Sequence, residues 1–345
     1  MQEELRNGLL LGLGNPLLDI SATVDKDFLA KYNLKENDAI LANEKHMSIY
    51  DELIQKYKAD FIAGGSVQNA LRVAQWILEK PNVTTFFGCV GTDKYSKILE
   101  DKARTDGVNV NYQYVENVPT GTCAVLITGN HRSLCANLAA AESFTIDHLR
   151  KPENIKLINA AQFYYISGFF LTVSPTSIQE IAKHAHSHDR PFLMNLSAPF
   201  LSQFFKKPMM DAMPYVDVLF GNEMEAETFA KEQNLGTVDL KNIALKICDL
   251  PKQNEKRRRV VIITQGSHPV LLAQEGEVTE IPVEVLDKEK IIDTNGAGDA
   301  FVGGFLGQYI QGQPLEVCVR CGVWTATQII QRSGCTYEGK AAFKP

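Results

Sequence analysis

The sequence predicts an α/β fold: a three-layer sandwich with a mostly parallel central sheet and a small β-rich lid. Short apolar runs that stop at Gly, Asn or Asp alternate with stretches of helical periodicity, the pattern of strands joined by crossover helices. Residues 17–63 and 112–140 break that rhythm with short alternating runs and no matching helices, as a separate small sheet covering a site would. No apolar stretch approaches the length of a membrane span, and 45% hydrophobic with 22% charged residues is a globular balance.

The elements follow in order. Leu9 to Leu13 is a short apolar run closed by Gly14-Asn15-Pro16, so it reads as a buried first strand ending at a ligand-facing turn. Ile20, Ala22 and Val24 alternate with polar neighbours like a half-exposed strand. Gly64-Gly65-Ser66 then opens an amphipathic helix over 67–79, with Val67, Leu71, Ala74, Ile77 and Leu78 on one side. A strand over 83–90 and a helix over 94–105 come next. Farther on, strands at 163–167, 192–196, 216–220 and 260–264 alternate with helices at 175–187 and 223–232. A hairpin over 269–285 turns at Glu275-Gly276-Glu277.

At 345 residues the chain has room for one large α/β domain carrying an insertion. A net charge of -6 gives no general attraction to nucleic acid or anionic membrane. Met1-Gln2-Glu3-Glu4 lacks the basic and apolar regions of a signal peptide, and seven scattered cysteines suit a reduced compartment, so a cytoplasmic chain is expected. Lys256-Arg257-Arg258-Arg259 reads as a solvated loop, with nuclear import, and hence a nuclear pool, as the less favoured alternative. His184, His186 and His188 are two apart, which does not gather side chains on one helix face, so a solvated helix end is favoured over a metal site.

The chemistry is concentrated in Asp293-Thr294-Asn295-Gly296-Ala297-Gly298-Asp299. Small residues let backbone come close to a ligand, and free N–H groups at a helix start attract anions. An acid held beside such a turn suits removal of a proton from a hydroxyl that attacks a phosphate. Asp299 could be that base, with the N–H groups of Ala297, Gly298 and Asp299 facing the developing charge. Simple capping is the alternative for both Asp293 and Asp299. The phosphate-binding Gly-x-x-x-x-Gly-Lys pattern is missing, and Gly12-Leu-Gly14 lacks the third glycine of the dinucleotide fingerprint.

The stretch Asp293 to Leu306, DTNGAGDAFVGGFL, resembles the C-terminal signature of the ribokinase-like (PfkB) carbohydrate and nucleoside kinases. Ala63 to Ala70 is similar to that family's N-terminal Gly-Gly and Asn element, and Asn222-Glu223-Met224-Glu225 to its Asn-x-x-Glu motif. GNPLLDIS at 14–21, PTGTC at 119–123, RSLCANLAAA at 132–141, GFFLTVSP at 168–175 and NLSAPF at 195–200 are similar to its adenosine-phosphorylating members. The resemblance covers nearly the whole chain. It implies a ribokinase-like fold, with residues 1–16, 64–111 and 141–345 as a large nucleotide-binding domain and 17–63 with 112–140 as a lid. It also implies a monomer that transfers the ATP γ-phosphate to the adenosine 5′-hydroxyl with Mg2+, in purine salvage. Another nucleoside or sugar kinase, or a non-catalytic nucleoside-binding homologue, is the alternative.

What the resemblance implies for single residues can be set beside their chemistry. Asp19 would bind the ribose hydroxyls, since a carboxylate accepts from two donors, and Asn15, Gly64, Gly65, Ser66, Asn69 and Asn295 would complete that site. Leu134, Ala136, Leu138 and Phe170 would flank the purine, with ordinary packing as the alternative for Leu138 and Phe170. Arg132, in the lid, would reach the transferring phosphate together with the Gly296-Ala297-Gly298 turn and the base Asp299. Asn222, Thr264, Gln265 and Gly266 would meet ATP. Asn222 and Glu225, one helical turn apart, would hold Mg2+ through water. Val323-Trp324 falls near the expected ATP adenine and departs from the family's usual residues there.

Overall fold

The computed structural model describes residues 4–129 and 131–344. Its strands are β1 (Leu10–Leu13), β2 (Leu17–Thr23), β3 (Ala39–Leu41), β4 (Asp60–Gly64), β5 (Thr84–Gly91), β6 (Asn109–Val115) and β7 (Thr122–Thr128). Then come β8 (His131–Asn137), β9 (Phe163–Ser167), β10 (Phe192–Asn195), β11 (Val218–Asn222), β12 (Val260–Gln265), β13 (His268–Gln274) and β14 (Glu277–Ile281). The helices begin with α1 (Lys26–Lys31), α2 (Ser48–Lys56), α3 (Ser66–Leu78), α4 (Lys94–Thr105), α5 (Ile146–Leu149), α6 (Pro152–Ala160) and α7 (Pro175–Ser187). They continue with α8 (Pro199–Phe204), α9 (Lys206–Ala212), α10 (Glu223–Glu232), α11 (Leu240–Cys248), α12 (Ala297–Tyr309) and α13 (Leu315–Ile329).

Nine strands form one sheet in the order β14-β13-β12-β11-β10-β9-β1-β5-β6. From β6 to β12 every pairing is parallel, and the hairpin strands β13 and β14 add antiparallel at one edge. Both faces are covered, as a parallel sheet requires. On one side Ile178, Leu201, Met209, Phe229 and Ile247, from α7 to α11, pack on the strands. On the other, Val67, Leu71, Leu99, Phe301 and Phe305, from α3, α4 and α12, do so. Gly303 lets α12 approach α3: a Cβ there would stand 2.5 Å from the Ala70 carbonyl oxygen and 2.6 Å from the Val73 Cβ. Gly304 likewise faces α13. These glycines therefore serve helix–helix contact.

The remaining strands form a five-stranded sheet in the order β3-β8-β7-β2-β4. Because side chains alternate across a strand, it has two different faces. Ile20, Ala22, Ala124, Leu126 and Cys135 pack on Phe28, Leu29, Ile49 and Leu53 of α1 and α2. Leu17, Asp19, Cys123, Arg132, Leu134 and Ala136 face a cavity instead.

Three expectations need correction. The small sheet does carry helices, α1 and α2. β2 is buried along most of its length because neighbours flank it on both edges and α2 backs it. Residues 112–115, expected to open the second lid segment, continue β6 and pair with β5 as far as Gly91 opposite Val115.

Candidate active site

The cavity has a volume of about 390 Å³, within the range of roughly 300–1,000 Å³ typical of small-molecule sites. It lies where the parallel strands end: Asn15 follows β1, Ser167 closes β9, Ser197 follows β10 and Asn222 closes β11. Open α/β sheets bind ligands at this carboxyl edge. The helices α3 and α12 start here, and the cavity-facing side of the small sheet closes the other side.

At the start of α12, Gly296 takes the left-handed conformation with φ +76°, which a glycine adopts without strain. The Ala297 N–H, expected to face an anion, donates instead to the Thr294 carbonyl at 3.3 Å, whereas the Gly298 and Asp299 N–H groups have no backbone acceptor among the described residues, of which none stands within 4 Å of where a Gly298 side chain would be. This is an open anion cup on a helix N-terminus. Buried Asp293 shapes the turn. Its Oδ1 accepts from the Asn295 N–H at 2.8 Å and its Oδ2 from the Gly334 N–H at 2.8 Å, a local backbone-bonding role common for Asp.

Asp299 stands half-buried beside that cup, where its Oδ2 accepts from Asn69 Nδ2 at 3.1 Å. Loss of solvent holds its carboxyl above the ordinary aspartate range, against the lowering effect of Asn69. Asp19 is nearby and more displaced: burial first, then the Asp299 charge, pushes it up to about 8. Asn295 Nδ2 donates to Asp19 Oδ2 at 3.4 Å. Gly64 makes room for this group, since a Cβ there would lie 2.5 Å from the Asp19 Cγ. Gly65, with φ +94°, caps α3. Asn15 Oδ1 and Ser66 Oγ are buried at the cavity without a hydrogen-bond partner among the described residues. Orphaned polar atoms at a cavity wall are what an absent polar ligand would satisfy.

The wall also carries an apolar set, Leu17, Ile40, Leu134, Ala136, Leu138, Phe169 and Phe200. Here the Phe170 expectation fails. Phe170 is wholly buried and packs edge-to-face on Phe144, and its neighbour Phe169 lines the cavity instead. Both lie in a short 3₁₀ helix, Gly168–Thr172, whose phase follows neither strand nor α-helix periodicity. The Ala39–Leu41 strand joins the wall because Ala39 pairs with Leu134 and Leu41 with Ala136. That register, and the inward aim of Ser167, Thr172 and Ser197, carry no mark in the sequence.

Arg132 lines the cavity, but its guanidinium is engaged: Nε bonds Asp293 Oδ1 at 2.8 Å, and the remaining nitrogens donate to the Gly129, His131 and Ile292 carbonyls. In this conformation it clasps β8 to the Asp293 turn rather than standing free for a phosphate. Asn222 and Glu225 form a reciprocal cap on α10: the Asn222 side chain accepts from the Glu225 N–H at 2.8 Å, and Glu225 Oε2 accepts from the Asn222 N–H at 3.1 Å. Burial pushes Glu225 up to about 7. No cluster of His, Cys, Asp and Glu able to ligate a metal directly occurs among the described residues. Asn222 lines the cavity with its amide bonded to Glu225 behind it, so a hydrated cation here would be held through water. Thr264 pairs with Asn222 at the same sheet edge, and nothing stands within 4 Å of the Gly266 side-chain position.

One other expectation resolves differently. Arg259 does not lie in a solvated loop: it is buried and donates to the Met213, Val216, Ile247, Leu250 and Pro251 carbonyls. Trp324 stacks on Trp76 at 5.2 Å, and Trp76 stacks in turn on Tyr337 at 4.8 Å. His184 and His188 stack at 4.2 Å at the end of α7, where His186 and His188 are exposed, as a solvated helix end would have them.

Known proteins place this geometry in context. The pattern of the pfkB family carbohydrate kinases matches residues 26–341. Adenosine kinase 2 of Arabidopsis thaliana is 51% identical over 337 residues, covering 98% of each chain. A solved Anopheles gambiae adenosine kinase in complex with P1,P4-di(adenosine-5) tetraphosphate is 60% identical, with a TM-score of 0.96, over 98% of this chain and 100% of that one. A Schistosoma mansoni adenosine kinase in complex with 2-fluoroadenosine is 39% identical, with a TM-score of 0.94, over 97% of this chain and 99% of the other.

Proposed function

The chain belongs to the pfkB family of carbohydrate kinases, and on that premise we propose that it is an ATP-dependent adenosine kinase, moving the γ-phosphate of ATP to the 5′-hydroxyl of adenosine to give AMP and ADP. One observation carries the mechanism: Asp299 stands at the start of α12 beside N–H groups that have no backbone acceptor among the described residues, in a cavity whose wall combines polar groups with an apolar set. The ribose meets the polar groups. Two of its hydroxyls donate to Asp19, the orphaned Ser66 hydroxyl donates to a ribose oxygen, and the purine lies against Leu134, Ala136, Leu138 and Phe169.

That placement turns the 5′-hydroxyl toward Asp299. The carboxylate accepts its proton as the oxygen attacks phosphorus, and a pKa held above the ordinary range makes it a better base. The Gly298 and Asp299 N–H groups meet the charge that develops on the transferring group, at no cost in reorganisation. Arg132, paired with Asp293, holds the Asp293 turn in shape. Thr264, Gln265 and Gly266 border the ATP site, whose Mg2+, held through water by Asn222 and Glu225, would neutralise the polyphosphate charge. The small sheet acts as a lid that keeps water from competing for ATP. We read the enzyme as a cytoplasmic monomer acting in purine salvage; its cysteines are free, and among the described residues no helix is long and apolar enough to cross a membrane.

Asp299→Asn tests the role of the base. ADP release should fall by on the order of 10²- to 10⁴-fold while calorimetric adenosine binding is kept. Wild-type turnover in that variant would remove Asp299 from the mechanism.

A further inference from the structure

We propose that Arg72 is a positioning residue for phosphoryl transfer: it orients the Asn69 amide so that Nδ2, and not Oδ1, faces Asp299. The inference rests on the reading of Asp299 as the base. Asn69 bridges the two, with Nδ2 donating to Asp299 Oδ2 at 3.1 Å and Oδ1 accepting from an Arg72 terminal nitrogen at 3.1 Å. An amide can turn over and present either end, but a guanidinium has donors only. Arg72 therefore admits only the Oδ1-facing arrangement, and the donor end is left for Asp299.

Arg72 can do this because it is itself immobilised. Its side chain is 1% exposed, and Nε donates to Asp106 Oδ2 at 2.6 Å. The Asp106 carboxylate is held from its other side by Lys102 at 3.1 Å. The Tyr337 hydroxyl donates to the Arg72 carbonyl at 2.8 Å, and its ring lies under the guanidinium. A buried ion pair gains little net stability over apolar packing, so this one calls for another role. Without Arg72, Asn69 could turn its carbonyl toward Asp299 and oppose the charged form of the base.

The groups facing Asp299 are Asp19 on β2, Asn69 and Ser66 on α3, Tyr165 on β9 and Cys335 on the C-terminal tail. Arg72 is faced by Asp106 and Lys102 at the end of α4, and by Tyr337 and Cys335 on the tail. Burial holds the Cys335 thiol up at about 12 and the Tyr165 phenol well above its usual value, so neither titrates near neutrality. With adenosine saturating, Asp19 is engaged by ribose; Glu225, pushed up to about 7 at the nucleotide side, keeps its surroundings in every variant below, so a difference in the acid limb of kcat between them reports Asp299.

The experiment is the pH profile of kcat, with saturating adenosine and ATP, for wild type, Arg72→Met, Arg72→Lys, Asn69→Ala and Tyr337→Phe. Arg72→Met should lower kcat by on the order of tenfold and raise the acid midpoint by about one pH unit, with the adenosine KM changing less. Arg72→Lys, which keeps a donor for Oδ1, should return the midpoint toward wild type. Asn69→Ala breaks the bridge while leaving the Arg72 and Asp106 pair intact, so it remains informative if Arg72→Met does not fold, and it should show the same shift. Tyr337→Phe should lower Tm and leave the midpoint in place. A wild-type midpoint in Asn69→Ala or in folded Arg72→Met overturns the proposal, as does an equal shift in Tyr337→Phe. Should Asp299→Asn abolish turnover while these midpoints stay fixed, the proposal for Arg72 fails alone; should Asp299→Asn turn over normally, the reading of the base fails first.

Discussion

Asp19 carries a carboxyl displaced from its ordinary 3.8 to about 8, because the folded chain buries it and sets Asp299 beside it. Between those two values the folded state binds a proton that the unfolded chain has released. By linkage this group's contribution to stability falls as pH rises from about 4 to about 8, and is level outside that window. Binding runs in the opposite sense. A carboxylate that accepts two ribose hydroxyls is the form adenosine selects, so affinity should rise with pH up to about 8 and then level off, with a proton released on binding. Titration calorimetry in buffers of different ionisation enthalpy checks this: wild type should show proton release that Asp19→Asn lacks. Affinity independent of pH in wild type would show that Asp19 binds ribose without ionising.

Elements were legible in proportion to their length and signals. The helices Ser66–Leu78, Lys94–Thr105, Pro175–Ser187 and Glu223–Glu232 show in the chain because each runs at least ten residues and most begin at a recognisable cap or proline. α1 spans six residues and α2 nine, too short for periodicity to stand out from the alternation around them. The basic run before β12 misled for a different reason: composition cannot tell a solvated arginine from one that ties elements together. Arg259 joins the end of α11 to the turn before β11 through the carbonyls of Ile247, Met213 and Val216, and burial pulls it down to about 10. Arg259→Met should cost on the order of 3 kcal/mol or more in urea unfolding, since it leaves buried carbonyls unpaired, while the adenosine KM of the folded fraction stays as in wild type. A loss under about 1 kcal/mol would mean that water replaces the guanidinium at those carbonyls.

At the scale of the whole molecule the site exists only where two sheets meet. Asp299, Gly296 and Asn222 come from the carboxyl edge of the large sheet and its helices, whereas Asp19, Leu134 and Ala136 come from one face of the small sheet. Arg132 to Asp293 and Asn295 to Asp19 bond across the junction. The chemical end of this site could be read from the sequence because the glycine-rich turn and its acid are contiguous. The base-facing end could not be read in full: strand register and the phase of a 3₁₀ turn decide that Ile40 and Phe169 line the cavity, and neither leaves a local pattern. This division also sets the most direct test. Wild-type protein should be given ATP, Mg2+ and equal concentrations of adenosine, inosine or ribose, with ADP release followed and the products identified. Turnover with adenosine far exceeding that with inosine and ribose, with AMP as product, is the predicted result. Comparable or faster turnover with ribose, or adenosine binding without ADP release, would contradict the account.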